Sequence, residues 1–316
     1  MTFGSESTTD DVLAGIELSG TWTLVTGAST GLGQETARAI AAHGGSVIMA
    51  VRDLAKGERA AEVVRADATS GAEVELCEVD LTSFASIRRA TDSVASGHDQ
   101  LDVIIANAGV MATPESKTAD AFELQFGTNH LGHFLLVNRL RPLLASPGRI
   151  VNLSSGGHRL SDVVLEDVNF EKTPYEPWPA YGRSKTANVL FAVELDRRGR
   201  DNGQRACAVH PGMIMTELGR YMTKETMGQL SSSLAERANK PEWKSIPQGA
   251  ATTVWSAFTA DADEVGGRYC EDCHVADVTD AATTSGGGVS AYAMDGASAR
   301  ALWALSEELV NESFPS

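Results

Sequence analysis

The sequence predicts a doubly wound α/β fold, a mostly parallel sheet with helices on both faces, in a single domain. Two observations predict it. Short apolar runs alternate with helical stretches along the whole chain. No internal repeat is present, and no stretch is rich enough in Pro, Gly or Ser to be a linker that would divide the chain.

Each predicted strand is a short run of apolar residues, and most are followed by a stretch with helical spacing. The first two strands, 21–26 (TWTLVT) and 46–51 (SVIMAV), precede helices predicted over 31–43 and 54–68. The later elements are strands at 74–79, 101–106, 149–153 and 205–209, with helices at 83–95 and around 181–198. Continuous apolar strands alternating with helices are typical of a parallel sheet covered on both faces, as in a Rossmann-type fold.

Two segments interrupt this alternation, at 156–180 and 216–247. The first is rich in Pro and charge, and the second is polar and contains Met. Both follow strands, at the edge where open α/β sheets bind ligands, so we predict that both are substrate-side insertions. Residues 1–20 lack the basic start and apolar middle of a signal peptide, so we expect a frayed N-terminal tail before one domain at 21–316.

The composition excludes several functional classes. The 316 residues carry a formal net charge of −16. Nucleic acids and anionic membranes require a basic face, so neither is an expected partner. No apolar run approaches the ~20 residues of a membrane helix, and no membrane span is expected. The four cysteines are too few and too scattered for a disulfide scaffold, which predicts a cytoplasmic protein.

A glycine-rich loop, TGASTGLG at 26–33, lies directly between the first strand and the first helix. Its glycines let a pyrophosphate approach the backbone, and the helix N-terminus offers free N–H groups and the positive end of a dipole. A tight strand-to-helix turn is the alternative, and the flanking strand and helix favour a dinucleotide site. The predicted contacts are Gly27, Ser29, Thr30, Gly31, Leu32 and Gly33.

This loop and four further motifs, in the same order, resemble the short-chain dehydrogenase/reductase superfamily. The motifs are Asp80-Leu81, Asn107-Ala108-Gly109, Tyr181-x-x-x-Lys185 and His210-Pro211-Gly212. Four longer stretches look like the retinol-dehydrogenase-like branch, which also resembles light-dependent protochlorophyllide reductases. They are TNHLGHF (128–134), RIVNLSSGGH (149–158), YGRSKTANVLFA (181–192) and GGRYCEDCHVAD (266–277).

Tyr181 and Lys185 are four residues apart on a predicted helix and therefore point from one face. A free phenol has a pKa near ~10, and a nearby ammonium favours the phenolate. We therefore expect Lys185 to lower the pKa of Tyr181, so that Tyr181 exchanges a proton with the substrate. Two unrelated surface residues would show the same spacing, but the preceding strand ends in Ser154-Ser155, which favours the catalytic role.

The resemblance implies a catalytic set of Asn129, Ser155, Tyr181 and Lys185. Ser155 would hydrogen-bond the substrate oxygen and hold it against Tyr181, with Ser154 as the alternative. Asn129 would anchor a water that links Lys185 to solvent. A helix-interior amide satisfied by the backbone is the alternative for Asn129.

The end of the second strand decides the predicted cofactor. An acidic residue there binds the ribose hydroxyls of NAD, whereas an Arg accommodates the 2′-phosphate of NADP. Arg52 stands at this position, and Asp53 is expected to cap the next helix. NADP(H) is therefore favoured, and NAD(H) stays open because Thr30 occupies the place of a second basic residue in many NADP-preferring members. The resemblance adds contacts at Asp80, Leu81, Asn107, Ala108, Gly109, Tyr181, Lys185, Pro211, Gly212, Ile214 and Thr216.

The leading hypothesis is an NADP(H)-dependent interconversion of an alcohol and a ketone or aldehyde on a lipophilic small molecule. The alternatives are reduction of an activated carbon–carbon double bond and a catalytically silent dinucleotide-sensing protein. The pattern Cys270-x-x-Cys273-His274 also occurs at haem attachment sites, but no export signal or second cysteine pair accompanies it, so neither haem nor a metal is expected. Relatives imply a homodimer or homotetramer as further alternatives to a monomer.

Overall fold

The central sheet contains eight strands among the residues that the computed structural model describes, which are 3–235, 243–279 and 287–314. Two pairs of short strands lie outside this sheet, so that the described residues form twelve strands in all: β1 (Trp22–Thr26), β2 (Ser46–Val51), β3 (Val74–Glu78), β4 (Leu101–Ala106), β5 (Leu144–Leu153), β6 (Gln204–His210), β7 (Met213–Ile214), β8 (Trp243–Lys244), β9 (Tyr269–Glu271), β10 (His274–Val275), β11 (Val278–Thr279) and β12 (Val289–Ser290). The sheet order is β10-β9-β6-β5-β4-β1-β2-β3, and β7 pairs with β8, as β11 does with β12. All neighbours in the large sheet are parallel except β9 and β10.

Helices cover both faces of this sheet. They are α1 (Thr9–Leu13), α2 (Gly31–Ala42), α3 (Leu54–Asp67), α4 (Phe84–Gly97), α5 (Leu124–Phe126), α6 (Gly132–Leu140), α7 (Pro177–Gly199), α8 (Lys224–Ala235), α9 (Ile246–Val254), α10 (Ala262–Val265) and α11 (Gly296–Val310). Alternate strand residues face opposite cores, since Leu24 and Ile48 pack with α4, α6, α7 and α11, whereas Val25 and Met49 pack with α2, α3 and α9. The predicted doubly wound fold is confirmed.

The strand register brings the ends of the parallel strands to one edge of the sheet. Val25 is aligned with Met49 on one side and with Ile105 on the other. Because β1, β4, β5 and β6 run in one direction, the loops that follow them meet at that edge, as the sequence predicts. Asp53 caps α3 as expected, and its carboxylate accepts a hydrogen bond from the Lys56 N–H at 2.9 Å.

The N-terminal residues differ from the expected frayed tail. Thr8 caps α1 in a capping box with Asp11, and Val12 and Leu13 are buried in the core beside α2 and α9. The expectation followed from the polar start of the chain. The apolar pair is short, and its burial depends on helices that are distant in sequence.

The two predicted insertions contain 3-10 turns together with short helical and strand elements. The first contains 3-10 turns at Gly156–Leu160 and Leu165–Asp167. The second contains a 3-10 turn at Glu217–Tyr221, then α8 and β8, and its residues 236–242 lie outside the described residues. Across the described ranges, no helix combines the length and apolar character that crossing a membrane requires.

Candidate active site

The glycine loop has the geometry of an anion site. Gly27 and Gly31 have φ angles of +67° and +56°, which residues with a side chain rarely adopt. A Cβ atom at Gly33 would lie 2.5 Å from Asn107 Nδ2 and 2.5 Å from the Gly27 carbonyl oxygen. Thr30 precedes α2 without making a capping hydrogen bond, so it leaves the first-turn N–H groups available to an anion. These features suit the pyrophosphate of a dinucleotide.

Asn107 fastens the end of β4 to the end of β1. Its side-chain amide donates to the Thr26 carbonyl at 2.7 Å. The Thr26 hydroxyl in turn accepts hydrogen bonds from the N–H groups of Asn107 and Ala108, both at 2.9 Å. These contacts hold the loop after β4 directly beside the glycine loop, as expected for a residue that braces β4 at the cofactor.

The predicted adenosine contacts line the edge beyond β2 and β3. Arg52 directly follows β2 and its side chain is exposed. Asp80 follows β3 by two residues, and its carboxylate accepts hydrogen bonds from the Thr82 N–H and hydroxyl at 2.9 Å and 2.8 Å. Leu81 is buried against α6, where a Cβ atom at Gly132 would lie 2.6 Å from the Leu81 carbonyl oxygen. Arg52 is therefore open to a ligand, whereas Asp80 and Leu81 also stabilise their own turn.

The segment after β6 faces the glycine loop from the opposite side. Thr216 caps the 3-10 turn that follows it, and its methyl group would lie 3.5 Å from a Cβ atom at Gly31. Pro211 and Gly212 form the bend before β7, where Gly212 has a φ of +93°. The side chains of Ile214 and Leu32 both pack against Gly249 of α9, so their contribution to a ligand would come from the backbone.

Tyr181 and Ser155 lie together at the same edge. Tyr181 lies in the second turn of α7 and is buried, and a Cβ atom at Gly157 would lie 2.6 Å from its Cε1 and 3.4 Å from Ser155 Oγ. Ser155 follows β5, and its hydroxyl accepts the Gly157 N–H at 3.0 Å. Ser154 is buried and its hydroxyl donates to the Lys185 carbonyl at 2.8 Å, away from Tyr181. Of the two serines, Ser155 therefore has the geometry to meet a substrate oxygen beside Tyr181.

Lys185 lies beneath the Tyr181 ring. Its ammonium nitrogen is 5.8 Å from the ring centroid and donates to the Leu153 carbonyl at 2.9 Å. Burial lowers the pKa of Lys185 to about 8. Burial also raises the pKa of Tyr181 to about 12, against a smaller opposing effect of Ser155. The expected lowering of that pKa by Lys185 stays a prediction.

Asn129 lies close to Lys185, but its side chain is engaged by the protein. It is part of a π-helical turn, Gly127–Leu131, and its amide contacts the Val110 N–H and carbonyl, each at 2.9 Å. The same amide donates to the Ser184 hydroxyl at 2.9 Å. A Cβ atom at Gly109 would lie 3.2 Å from Asn129 Oδ1 and 3.7 Å from Lys185 Nζ, so these three residues meet. The Asn129 side chain therefore positions the loop after β4.

Comparison with known proteins agrees with this geometry. The family model of short chain dehydrogenases matches residues 21–226. The chain belongs to the short-chain dehydrogenase family. The short-chain dehydrogenase/reductase prx1 of Penicillium roqueforti is 42% identical over 294 residues, which cover 91% of this chain and 84% of that protein. Retinol dehydrogenase 12 of Mus musculus is 40% identical over 260 residues, which cover 82% of this chain and 79% of that protein.

A solved structure shows the same fold along almost the whole of this short-chain dehydrogenase. It is described as a putative uncharacterized protein from Mycobacterium Paratuberculosis, with 36% identity and a TM-score of 0.74. The match covers 98% of this chain and 100% of that one. The family model and the two relatives identify the chain as an oxidoreductase of the retinol-dehydrogenase-like branch.

Sequence reasoning missed several residues that support the site of this short-chain dehydrogenase. Gly157 packs against the Tyr181 ring, since a Cβ atom there would lie 2.6 Å from Cε1 of Tyr181. Ser184 holds Asn129, and His133 joins the glycine-loop strand to the helix of Asn129. The only sequence signal for His133 is its place in TNHLGHF, and spacing alone does not indicate what its ring contacts.

The cysteine pattern near the C-terminus has a packing role. Cys270 and Cys273 are free and buried among the apolar residues of the α2, α3 and α9 core. Burial raises the pKa of Cys273 to about 11. Among the described residues, no group of three or more His, Cys, Asp or Glu side chains is arranged to hold a metal ion.

Proposed function

We propose that this enzyme interconverts an alcohol and the corresponding ketone or aldehyde on a lipophilic small molecule, with NADP(H) as the hydride carrier. The observation that carries the proposal is the juxtaposition of Tyr181 and Ser155 at the edge where α2 begins, since a Cβ atom at Gly157 would lie 2.6 Å from Tyr181 Cε1 and 3.4 Å from Ser155 Oγ. Two hydroxyl groups at this place can both bind one carbonyl oxygen.

Each polar side chain has a distinct part in the reaction. Ser155 donates to the substrate oxygen and fixes its position, and Tyr181 transfers a proton to it or from it. Lys185, with its ammonium 5.8 Å from the Tyr181 ring centroid, stabilises the phenolate that reduction leaves behind. A nicotinamide cofactor, when bound, would supply the hydride for reduction and accept it in oxidation.

The protonation state of Tyr181 favours one direction at neutral pH. Because burial raises the pKa of the phenol to about 12, Tyr181 carries its proton near pH 7. The protonated phenol is the form that reduces a carbonyl, whereas oxidation requires the phenolate. We therefore expect carbonyl reduction to be efficient at neutral pH and alcohol oxidation to increase as the pH rises.

The two insertions bring apolar side chains to the mouth of the site. Trp178 contacts the Tyr181 ring edge-on, with 6.3 Å between the ring centroids, and its indole N–H donates to the Thr226 carbonyl at 3.3 Å. Thr226 belongs to α8, so the second insertion is held next to the catalytic tyrosine. Met215 and Trp243 are 78% and 55% exposed on this side of the molecule. Large exposed apolar side chains beside a polar centre support a lipophilic substrate.

The decisive experiment measures turnover of alcohols, ketones and aldehydes by the nicotinamide absorbance with both cofactors. Tyr181→Phe should lose nearly all turnover, because phenylalanine lacks the hydroxyl that transfers the proton. It should retain dinucleotide binding, because the ring remains. Tyr175→Phe is the matched control. Tyr175 lies in the first insertion, shortly before Tyr181, and its hydroxyl contacts Thr113 and Gln125 instead of the site. Substantial turnover by Tyr181→Phe would contradict the mechanism. NADPH binding without turnover of any substrate would favour the dinucleotide sensor instead.

Cofactor preference has its own test. Arg52→Ala should weaken NADPH binding far more than NADH binding, because the guanidinium would contact only the 2′-phosphate. Equal losses for both cofactors would contradict the assignment of Arg52. Product mass and retention of the carbonyl group distinguish ketone reduction from carbon–carbon double-bond reduction. The homodimer or homotetramer and the cytoplasmic location stay predictions.

A further inference from the structure

We propose that Arg220 is a second cationic ligand of the NADP(H) 2′-phosphate, supplied by the second insertion and facing Arg52. The inference rests on the proposed function, because it requires NADP(H) to bind at the edge beyond β2. Many NADP-preferring members have a second basic residue at the position of Thr30. In this chain we assign that role to Arg220, in a segment far along the chain.

The 3-10 turn Glu217–Tyr221 lies over the start of α3. Glu217 forms an ion pair with Lys56 of α3, with 2.5 Å between Oε2 and Nζ. Lys56 is four residues after Arg52, so this pair fastens the turn beside the predicted phosphate contact. The turn begins at Thr216, whose side chain faces Gly31, and it therefore spans from the glycine loop to the end of β2.

Two arginines, Arg220 and Arg52, interact with the phenol of Tyr221. The Arg220 guanidinium carbon lies 4.6 Å from the centroid of the Tyr221 ring. The Arg220 guanidinium, and to a smaller extent that of Arg52, lower the pKa of the Tyr221 phenol. A phenol that interacts with both arginines stands where a phosphate oxygen could bind both of them. The phenol thus marks the point at which the two cations converge.

The neighbouring acidic groups do not neutralise these two arginines. Glu217 is paired with Lys56, and Asp53 accepts the Lys56 N–H at the start of α3. Arg220 donates through Nη1 to the Glu217 carbonyl at 2.9 Å, which fixes the side chain and leaves its other N–H groups for a ligand. Within the described residues, neither Arg52 nor Arg220 is within ion-pair distance of a carboxylate. A dianionic phosphate would provide that partner.

The test compares adenosine 2′,5′-bisphosphate with adenosine 5′-monophosphate by calorimetric titration of the full chain, which needs no turnover. Arg220→Ala should weaken the bisphosphate by roughly tenfold or more and leave the monophosphate unchanged, because it removes charge-assisted hydrogen bonds. Arg220→Lys should recover part of the lost affinity, because lysine restores the positive charge but not the planar guanidinium that can donate two hydrogen bonds at once. Arg300→Ala, which removes an exposed arginine from α11, is the matched control and should bind both ligands as the unaltered protein does.

The outcomes separate this inference from the proposed function. If Arg52→Ala weakens the bisphosphate and Arg220→Ala does not, the assignment of Arg220 is wrong and the NADP(H) proposal stands. If the unaltered protein binds the two ligands equally, the proposed preference for NADP(H) is wrong, and so is the proposed role of Arg220. A parallel loss of monophosphate binding in Arg220→Ala would also overturn the inference, because it would indicate a general effect on the cleft.

Discussion

The Thr26 hydroxyl lies 2.9 Å from Nε2 of the buried His133. Nδ1 of His133 lies 2.9 Å from the Asn129 carbonyl, which can only accept, so Nδ1 carries the proton and Nε2 accepts from Thr26. Burial lowers the pKa of His133 to about 4, which keeps the ring neutral at pH 7. The same Thr26 oxygen accepts the N–H groups of Asn107 and Ala108. One hydroxyl therefore connects the glycine-loop strand, the loop after β4 and the helix of Asn129.

Thr26→Val should destabilise the protein and weaken dinucleotide binding together. The methyl group keeps the shape but leaves the two backbone N–H groups and Nε2 of His133 without a partner, at about 1–3 kcal/mol for each buried group. Thr26→Ser is the matched control, because it retains the hydroxyl. Urea unfolding and NADPH titration measure both effects. Equal behaviour of the two variants would show that the hydroxyl does not join these elements.

The adjacent serines should respond to substitution in different ways. Ser155→Ala should lower kcat/KM by roughly 10²–10³, the usual effect of losing one hydrogen bond to a developing oxyanion, and should also lower the free energy of unfolding by about 1 kcal/mol because the Gly157 N–H loses its acceptor. Ser154→Ala removes the buried bond to the Lys185 carbonyl and should lower the free energy of unfolding by about 1 kcal/mol with a much smaller loss of turnover. Kinetics and urea unfolding of both variants test this. A larger loss of turnover in Ser154→Ala would reverse the assignment.

The sheet and its ligand edge follow from short-range patterns, which explains why they could be predicted. The apolar runs at β1 and β2 specify buried strands, and a loop between β1 and α2 must lie at their carboxyl edge. The pKa of Tyr181 could not be predicted in this way, because its direction depends on how completely distant segments exclude water from the phenol. The ion pair between Lys56 and Glu217 is similarly hidden, since it joins positions far apart in the chain.

Gly157→Ala should reduce turnover by displacing Tyr181. The added Cβ would lie 2.6 Å and 2.8 Å from Cε1 and Cδ1 of the tyrosine ring, and real Cβ atoms do not approach so closely. The ring must then move away from Ser155, while the glycine loop is unaffected. We expect kcat to fall by roughly tenfold or more, as small misplacements of a reacting group do, with NADPH affinity unchanged.

Gly228→Ala is the control for this substitution. Gly228 lies in α8, and a Cβ atom there would have no neighbour within 4 Å. An alanine at an open helical position should raise the free energy of unfolding by about 0.5–1 kcal/mol and leave turnover intact. Full activity of Gly157→Ala in steady-state kinetics would mean that the ring tolerates the contact and that Gly157 has no positioning role.

Protein stability should fall as the pH decreases from about 6.5 towards 5, before most carboxylates titrate. Burial lowers the pKa of four histidines well below the ordinary range, to about 3 for His130 and His210 and to about 4 for His133 and His158. The unfolded chain binds these protons near pH 6.5 and the folded chain does not, so stability rises with pH across this window and is lost as the pH falls.

The size of this effect makes it measurable. At pH 5, each of these histidines lowers the free energy of unfolding by about 2 kcal/mol relative to neutral pH. The four together lower it by an amount comparable with the 5–15 kcal/mol that stabilises a typical domain. His130→Gln isolates one of them, because glutamine can still bond to Ser306, which His130 Nε2 contacts at 2.8 Å. Urea unfolding at pH 7, 6 and 5 should show a pH dependence that is shallower by about one quarter in this variant. If the unaltered protein were equally stable at pH 7 and pH 5, these rings would have to accept protons in the folded state, and Nε2 of His133 could not accept the Thr26 hydroxyl.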